Sequence, residues 1–100
     1  MGGRKIRAKP GYQWHHIVEQ SAGRLKGWDP KAIHHPNNLV QIPTRVHQAC
    51  GNSWMAKNGV TRFGVNAARN QTMRAWVREQ GYSTQHRIGV ELLRFCGVSI

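Results

Sequence analysis

The sequence predicts an α+β fold in which a short β-hairpin is followed by one helix and then by further helices. Two stretches of the chain predict the hairpin. Residues 12–18 are rich in aromatic and β-branched side chains, which favours a strand. Residues 39–42 form a second short apolar run that ends at Pro43. Beyond Pro43, apolar side chains recur at the spacing of a helix, which predicts helices on either side of a linker over residues 60–71.

The chain is long enough for one domain with a single hydrophobic core. It has 100 residues, of which 39% are hydrophobic. We expect residues 12–100 to form the domain and residues 1–11, which are basic, to form a flexible arm that could grip phosphates. No apolar run follows Met1, so this fragment is expected to have no signal peptide, and we expect it to be part of a longer polypeptide.

The connection between the two strands covers residues 19–37, a length that is typical of a functional loop. Ser21 is expected to cap a short helical turn, which Gly27 ends. Asp29 and Pro30 are expected to start a second turn.

Three helices are predicted after the second strand. The first spans residues 45–57, with Thr44 as its cap. The second runs from Thr72 to about Gln80, and the third begins at Ser83 or Thr84 and is closed by Gly97. The residues expected to face the core are Val46, Ala49, Cys50, Met73, Trp76, Val77, Ile88, Leu92 and Phe95.

We expect the cysteines and the tryptophans to lie in the core. Cys50 and Cys96 do not form a C-x-x-C pair and lie on apolar helix faces, so we expect buried free thiols. The four tryptophans are expected to be core residues rather than platforms for base stacking; they are Trp14, Trp28, Trp54 and Trp76.

The charge of the chain restricts its partners. Fifteen Lys and Arg residues against four Asp and Glu give a formal net charge of +11. A field of this sign attracts polyanions, which makes nucleic acid the first candidate partner. A membrane surface would need a long basic amphipathic helix, and a membrane span about 20 consecutive apolar residues, and the sequence contains neither. A basic charge that serves only solubility stays an alternative.

Histidine and asparagine residues form a pattern that suits phosphodiester hydrolysis. That reaction needs a base to deprotonate water and a cation to polarise the phosphate and stabilise the leaving oxygen. Imidazole is the side chain whose pKa suits the base near neutral pH. His15 and His16 lie at the end of the first strand, where a bend could let both serve one site. Asn38 opens the second strand and could fix the base, and His47 at the start of the next helix could be a metal ligand.

These residues resemble a known nuclease superfamily. The pair His15-His16, the segment Asn38-Leu39-Val40 and His47 look like the HNH/endonuclease VII superfamily, whose fold is the ββα-metal finger. The strings at residues 14–20, 32–40 and 72–94 are similar to a subgroup, the toxin domains at the C-termini of bacterial polymorphic and Rhs-type effectors. The resemblance covers residues 12–97.

The resemblance implies a role for each residue of the pattern. His15 and His47 would bind one divalent metal ion, His16 would be the general base, and Asn38 would orient that base. Colicin-type members carry a further His four residues after the helix His, where this chain has Gly51. A site with two protein ligands and several waters suits Mg²⁺, while Zn²⁺, Ni²⁺ and Mn²⁺ are the alternatives. His34 and His35 are candidates for a third ligand or a phosphate contact.

The resemblance also implies what the domain does and where. The expected activity is metal-dependent, largely non-specific cleavage of DNA. The domain would be delivered from a bacterium and act in the cytoplasm of a target cell. A small acidic immunity protein is the expected partner in the producing cell, because the basic surface should attract it.

Two other functions stay open at this point. An RNase toxin on the same fold would use the same positive surface. A non-catalytic DNA-binding module would bind in a salt-dependent way without metal-dependent cleavage, but it leaves the His pair unexplained. Among the residues, Asn37 is the rival of Asn38, and His86 is expected to be a surface residue without a role.

Overall fold

The predicted hairpin and the α+β class are confirmed. The computed structural model describes residues 7–100, in which β1 (Tyr12–His16) and β2 (Leu39–Pro43) pair as an antiparallel two-stranded sheet surrounded by helices. β1 ends two residues earlier than predicted, although the Ile17 amide still donates to the carbonyl oxygen of Asn38 (2.8 Å), which precedes β2.

The segment before β1 is bonded to the hairpin as far as it is described. Residues 1–6 of the expected arm lie outside the described residues. The Lys9 amide donates to Oε1 of Gln41 (2.9 Å), and the Thr44 amide donates to the carbonyl oxygen of Gly11 (3.0 Å). Residues 9–11 therefore lie close to the middle and the C-terminal end of β2.

The connection between the strands contains two short helices and one turn of 3₁₀-helix. They are α1 (Gln20–Lys26), α2 (Pro30–Ile33) and Pro36–Asn38. The predicted break at Gly27 is confirmed, because this residue has a φ of +71°. Asp29 caps α2 as expected, since its side chain accepts from the Lys31 amide (2.9 Å).

The predicted cap at Ser21 is wrong. Glu19 occupies the N-cap position of α1, and Ser21 is the second residue of the helix. The Ser21 hydroxyl instead accepts a hydrogen bond from Arg78 (2.6 Å), which joins α1 to a later helix.

The helix predicted over residues 45–57 is present over residues 44–55, and we call it α3. Its hydrogen bonding changes along its length, from α-helix at Thr44–Val46 to π-helix at His47–Asn52 and back to α-helix at Ser53–Met55. Pro43 rather than Thr44 is its N-cap. Single π turns inside α-helices occur often at functional sites, and this one starts at His47.

The last two helices are α4 (Met73–Arg78) and α5 (Tyr82–Phe95). Thr72 caps α4 as predicted, because its hydroxyl accepts from the Ala75 amide (3.1 Å). The predicted start of α5 at Ser83 or Thr84 is wrong, since the N-cap is Gly81. Gln85 explains the early start, because its buried side chain donates to the carbonyl oxygen of Gln80 (2.9 Å) and joins the two helices.

The core lies between α4, α5 and the segment that precedes α4. Its buried cluster comprises Val60, Val65, Ala67, Met73, Val77, Ile88 and Leu92. Three predicted core residues are wrong, because Trp14 is 39% exposed, Phe95 is 48% exposed and Ala49 is also exposed. In residues 7–100, no helix is long and apolar enough to cross a membrane.

The prediction of two free thiols is also wrong. Cys50 and Cys96 form a disulfide with Cα atoms 5.9 Å apart. They are 46 residues apart in the sequence, and they meet because the end of α5 packs against α3. No spacing motif in the sequence indicates such a pairing. The disulfide fixes the helix that carries His47 to the end of α5.

Candidate metal and phosphodiester site

The structure brings His15 and His47 into contact. His15 is the fourth residue of β1, and His47 begins the π-helical part of α3, directly after the hairpin. Their Nδ1 atoms are 3.1 Å apart, and the rings meet edge to face with centroids 5.1 Å apart. The order strand, strand, helix thus places side by side the two residues that were expected to be metal ligands.

The spacing of these two nitrogens fits a shared metal ion. At metal–nitrogen distances of about 2.0–2.1 Å, two imidazole ligands of one ion lie roughly 2.9 to 3.4 Å apart for angles between octahedral and tetrahedral. The observed 3.1 Å falls in this range. The same spacing also suits a direct hydrogen bond between the two rings.

The electrostatics of His15 favour its neutral form. Burial, together with smaller contributions from the neighbouring His47 and His16, lowers the pKa of His15 from 6.5 to about 4. A histidine must be neutral to bind a metal ion, so at pH 7 this residue needs to lose no proton before it binds.

His16 belongs to a second pair. Its Nε2 atom lies 3.1 Å from Nδ1 of His34, and the side-chain nitrogen of Gln20 lies 3.3 Å from its Nδ1. Side chains of neighbouring strand residues point to opposite faces, which explains why His15 and His16 have different partners. Burial lowers the pKa of His16, with a further contribution from His34, so that the ring is neutral at pH 7 and able to accept a proton.

The two histidine pairs have equal nitrogen spacing but different surroundings. The pair of His15 and His47 is partly buried and lies beside the cavity lined by Glu19, Ile42 and Gly51. The pair of His16 and His34 is exposed. A buried pair has fixed ring orientations, which suits metal ligands, whereas an exposed pair is open to water and substrate.

Asn38 holds the backbone beside His16 rather than its ring. The side chain of Asn38 is fully buried. Its Oδ1 accepts from the Val18 amide (2.7 Å), and its Nδ2 donates to the carbonyl oxygens of Val18 (3.1 Å) and Ile33 (2.8 Å). These three bonds fix the chain two residues after His16 and join it to the end of α2, close to His34. Asn37, the rival in the sequence, has an exposed side chain.

Gly89 allows α5 to pack against the end of β1. A Cβ atom at this position would lie 2.8 Å from the carbonyl oxygen of Ile17 and 2.7 Å from its Cγ2. Ile17 directly follows His16 in the sequence. The missing side chain of Gly89 therefore lets a helix support the backbone of the two histidines.

A third protein ligand is not found in the part of the chain that the structure describes. Within residues 7–100, no group of three or more His, Cys, Asp or Glu side chains is arranged to hold a metal ion. His34 lies against His16, and His35 accepts from the Asn37 amide (3.0 Å). The imidazoles of His15 on β1 and His47 on α3 therefore remain as the two protein ligands, and water would complete the shell of a bound ion.

Three contacts at the site were missed in the sequence. Gln20 adjoins His16, and the only signal was its spacing of four residues. Glu19 forms an ion pair with Arg74 (3.1 Å), which also donates to Asn52 in α3 (3.2 Å). His86, expected to have no role, contacts the carbonyl oxygen of Asn37 (2.7 Å). Comparisons with protein-family models, with curated proteins and with solved structures found no match to this chain.

Proposed function

We propose that residues 12–100 are an HNH-type endonuclease domain, built on a ββα-metal finger, that hydrolyses phosphodiester bonds in DNA with little sequence preference. One observation carries the proposal. The hairpin and α3 hold Nδ1 of His15 and Nδ1 of His47 3.1 Å apart, and the next residue, His16, is a neutral and accessible imidazole. The net charge of +11 supports a polyanionic substrate.

In this proposal His15 and His47 hold one divalent ion. The ion supplies polarisation of the attacked phosphate and stabilisation of the leaving oxygen. Imidazole nitrogens suit Zn²⁺ and Ni²⁺, whereas a shell completed by several waters suits Mg²⁺ and Mn²⁺. The burial that lowers the pKa of His15 keeps this ligand unprotonated at pH 7.

His16 acts as the general base and takes a proton from the attacking water. Its side chain lies on the other face of the hairpin from His15, so the proposal requires the substrate to reach both residues at the end of β1, where they are adjacent. Its lowered pKa keeps it neutral before the reaction. Gln20 contacts Nδ1 of the ring and His34 contacts Nε2, which holds the orientation of the ring. One of these two contacts has to be replaced by the attacking water for the ring to take its proton. Asn38 is a positioning residue, because its bonds to Val18 and Ile33 fix the backbone that follows the base and join it to the end of α2.

Cleavage of supercoiled plasmid DNA tests the proposal. The protein should nick the plasmid with Mg²⁺, Mn²⁺, Ni²⁺ or Zn²⁺ and fail to do so in EDTA. His16→Ala should lower the rate by about 100-fold or more, since general bases contribute about 10² to 10⁴. His86→Ala is the matched control and should keep the activity, because the contacts of His86 within the described residues are with the Asn37 carbonyl and the Tyr82 ring, and neither is a proposed site residue. Cleavage that survives EDTA would refute the metal mechanism, and an active His16→Ala would refute the base.

The same assay separates the alternative functions. Faster degradation of tRNA or rRNA than of plasmid DNA would identify an RNase. Salt-dependent DNA binding without cleavage in any metal would identify a binding module.

The wider setting of the proposal is a bacterial toxin. The domain would be the C-terminal part of a larger effector, delivered into the cytoplasm of a target cell, and neutralised in the producer by a small acidic protein. Expression of the domain in bacteria should then be lethal, and His16→Ala should relieve the lethality. A pull-down that finds no acidic partner encoded beside the toxin would contradict the immunity protein.

A further inference from the structure

One face of the hairpin carries two exposed aromatic rings in line with His16. Tyr12 and Trp14 are each 39% exposed. Alternate residues of a strand share a face, so these two side chains lie on the same face as His16. We call this the outer face of the hairpin. The opposite face contains His15 and includes Ile42, which is fully buried.

Cationic and polar groups border the outer face. The Lys9 ammonium lies 4.6 Å from the centroid of the Tyr12 ring. The Lys9 backbone is fixed, because its amide donates to Gln41 (2.9 Å), the residue opposite Trp14 in the sheet. At the other end of the same face, His16 is paired with His34. The face therefore runs from a lysine, across two aromatic rings, to the exposed histidine pair.

We propose that the outer face binds single-stranded nucleic acid by stacking unpaired bases on Tyr12 and Trp14, which places the sugar-phosphate backbone of the bound strand beside His16. The inference rests on the proposed function, because His16 matters here as the base of that reaction. Aromatic rings beside a positive groove are the usual means by which proteins bind unpaired bases. The net charge of +11 and the position of Lys9 suit the phosphates of such a strand.

The spacing of the rings favours a single strand over a duplex. A strand rises about 3.4 Å per residue, which places Tyr12 and Trp14 roughly 7 Å apart. This is about twice the 3.4 Å spacing of bases along one strand of a duplex, so each ring would meet a separate, unstacked base. Within a duplex the faces of the bases are covered by their neighbours, and neither ring could stack on them.

Binding of short labelled oligonucleotides, measured by fluorescence anisotropy in EDTA, tests the inference. The probes are a 12-nucleotide oligo(dT), the matching oligo(rU) and a duplex of the same length. Of the two single-stranded probes, the one that binds better should have an affinity about tenfold or more above that of the duplex. Tyr12→Ala and Trp14→Ala should each lower that affinity by about 5- to 100-fold, which is the range for loss of one stacked base.

Three further variants separate stacking from charge and from folding. Tyr12→Phe and Trp14→Phe keep an aromatic ring and should retain most of the affinity. Lys9→Gln should reduce by about one the magnitude of the negative slope of the logarithm of the association constant against the logarithm of the salt concentration. The two alanine variants should leave that slope unchanged. Leu25→Ala removes an apolar side chain that is 70% exposed and should change nothing. Thermal melts confirm that each variant is folded.

Tryptophan fluorescence gives an independent readout. Stacking should quench the emission of Trp14, so that the quenching seen with the wild type is lost in Trp14→Phe although binding persists. Equal binding of the single strand by the wild type and the two alanine variants would overturn the inference, as would a preference for the duplex. Because EDTA prevents metal-dependent cleavage, this outcome is distinct from failure of the nuclease assay.

Discussion

Loss of the Asn38 side chain should unfold the loop that supports His16. The side chain is fully buried and makes three hydrogen bonds to the backbone. Asn38→Ala leaves the Val18 amide and the carbonyl oxygens of Val18 and Ile33 without these partners. Each buried polar group left unpaired costs about 1–3 kcal/mol. Water can compensate the two carbonyl oxygens in part, so we expect a total loss of free energy of unfolding of about 3 to 5 kcal/mol, at the lower end for three groups. This is a large part of the roughly 5–15 kcal/mol that stabilises a small domain.

Urea unfolding followed by circular dichroism measures this loss. Asn37→Ala is the matched control, because this neighbouring asparagine is exposed, and it should change the free energy of unfolding by less than about 0.5 kcal/mol. Asn38→Asp should also be destabilising at pH 7, since a carboxylate would face two carbonyl oxygens in place of two N–H donors. A loss below about 1 kcal/mol for Asn38→Ala would refute the argument that these bonds hold the loop.

Three further predictions concern stability. Replacing Cys50 and Cys96 by Ala should lower the free energy of unfolding by about 4 kcal/mol in urea titrations, because the disulfide closes a loop of 46 residues; an unchanged midpoint would contradict this. Gly89→Ala should destabilise the protein by about 1–3 kcal/mol, because the added Cβ would clash with Ile17. Gly51→Ala should be neutral or stabilising, because the nearest atom to the added Cβ is 3.9 Å away. The reverse order of stability in thermal melts would show that α5 does not pack as described. The His15 pKa of about 4 lies below its value of 6.5 in the unfolded chain, so the unfolded state binds more protons between these two pH values. In EDTA, up to about 3 kcal/mol of the free energy of unfolding that is present above pH 6.5 should therefore be lost as the pH falls towards 4. If the pH dependence of unfolding is the same in His15→Gln, other groups cause it.

The hairpin and the helix after it could be predicted because their signals are local. Residues 12–18 and 39–42 are short apolar runs bounded by turn residues, and the stripe of α3 repeats at helical spacing. Gly27 and Asp29 act on their immediate neighbours, so their turn chemistry also follows from the sequence. The start of α5 could not be predicted, because it depends on a bond from Gln85 back to α4.

The contacts of the site depend on tertiary packing and were only partly predictable. The sequence placed His15 and His47 on elements that adjoin, but it could not assign His34 to His16 rather than to a bound ion. It gave no sign of the disulfide, because the two cysteines are distant in the chain. Trp14 was expected in the core because sequence alone does not tell which face of a two-stranded sheet is covered.

Metal binding by single-histidine variants tests the central claim most directly. Isothermal titration with Zn²⁺ and with Mn²⁺ should show one ion per chain. His15→Ala and His47→Ala should weaken binding by about tenfold or more, since loss of a ligand costs at least as much as loss of its supporting partners. His16→Ala and His34→Ala should bind the ion as the wild type does. Loss of binding in this second pair, with binding intact in the first, would show that the metal sits on the exposed histidines and would contradict the assignment of His16 as the base.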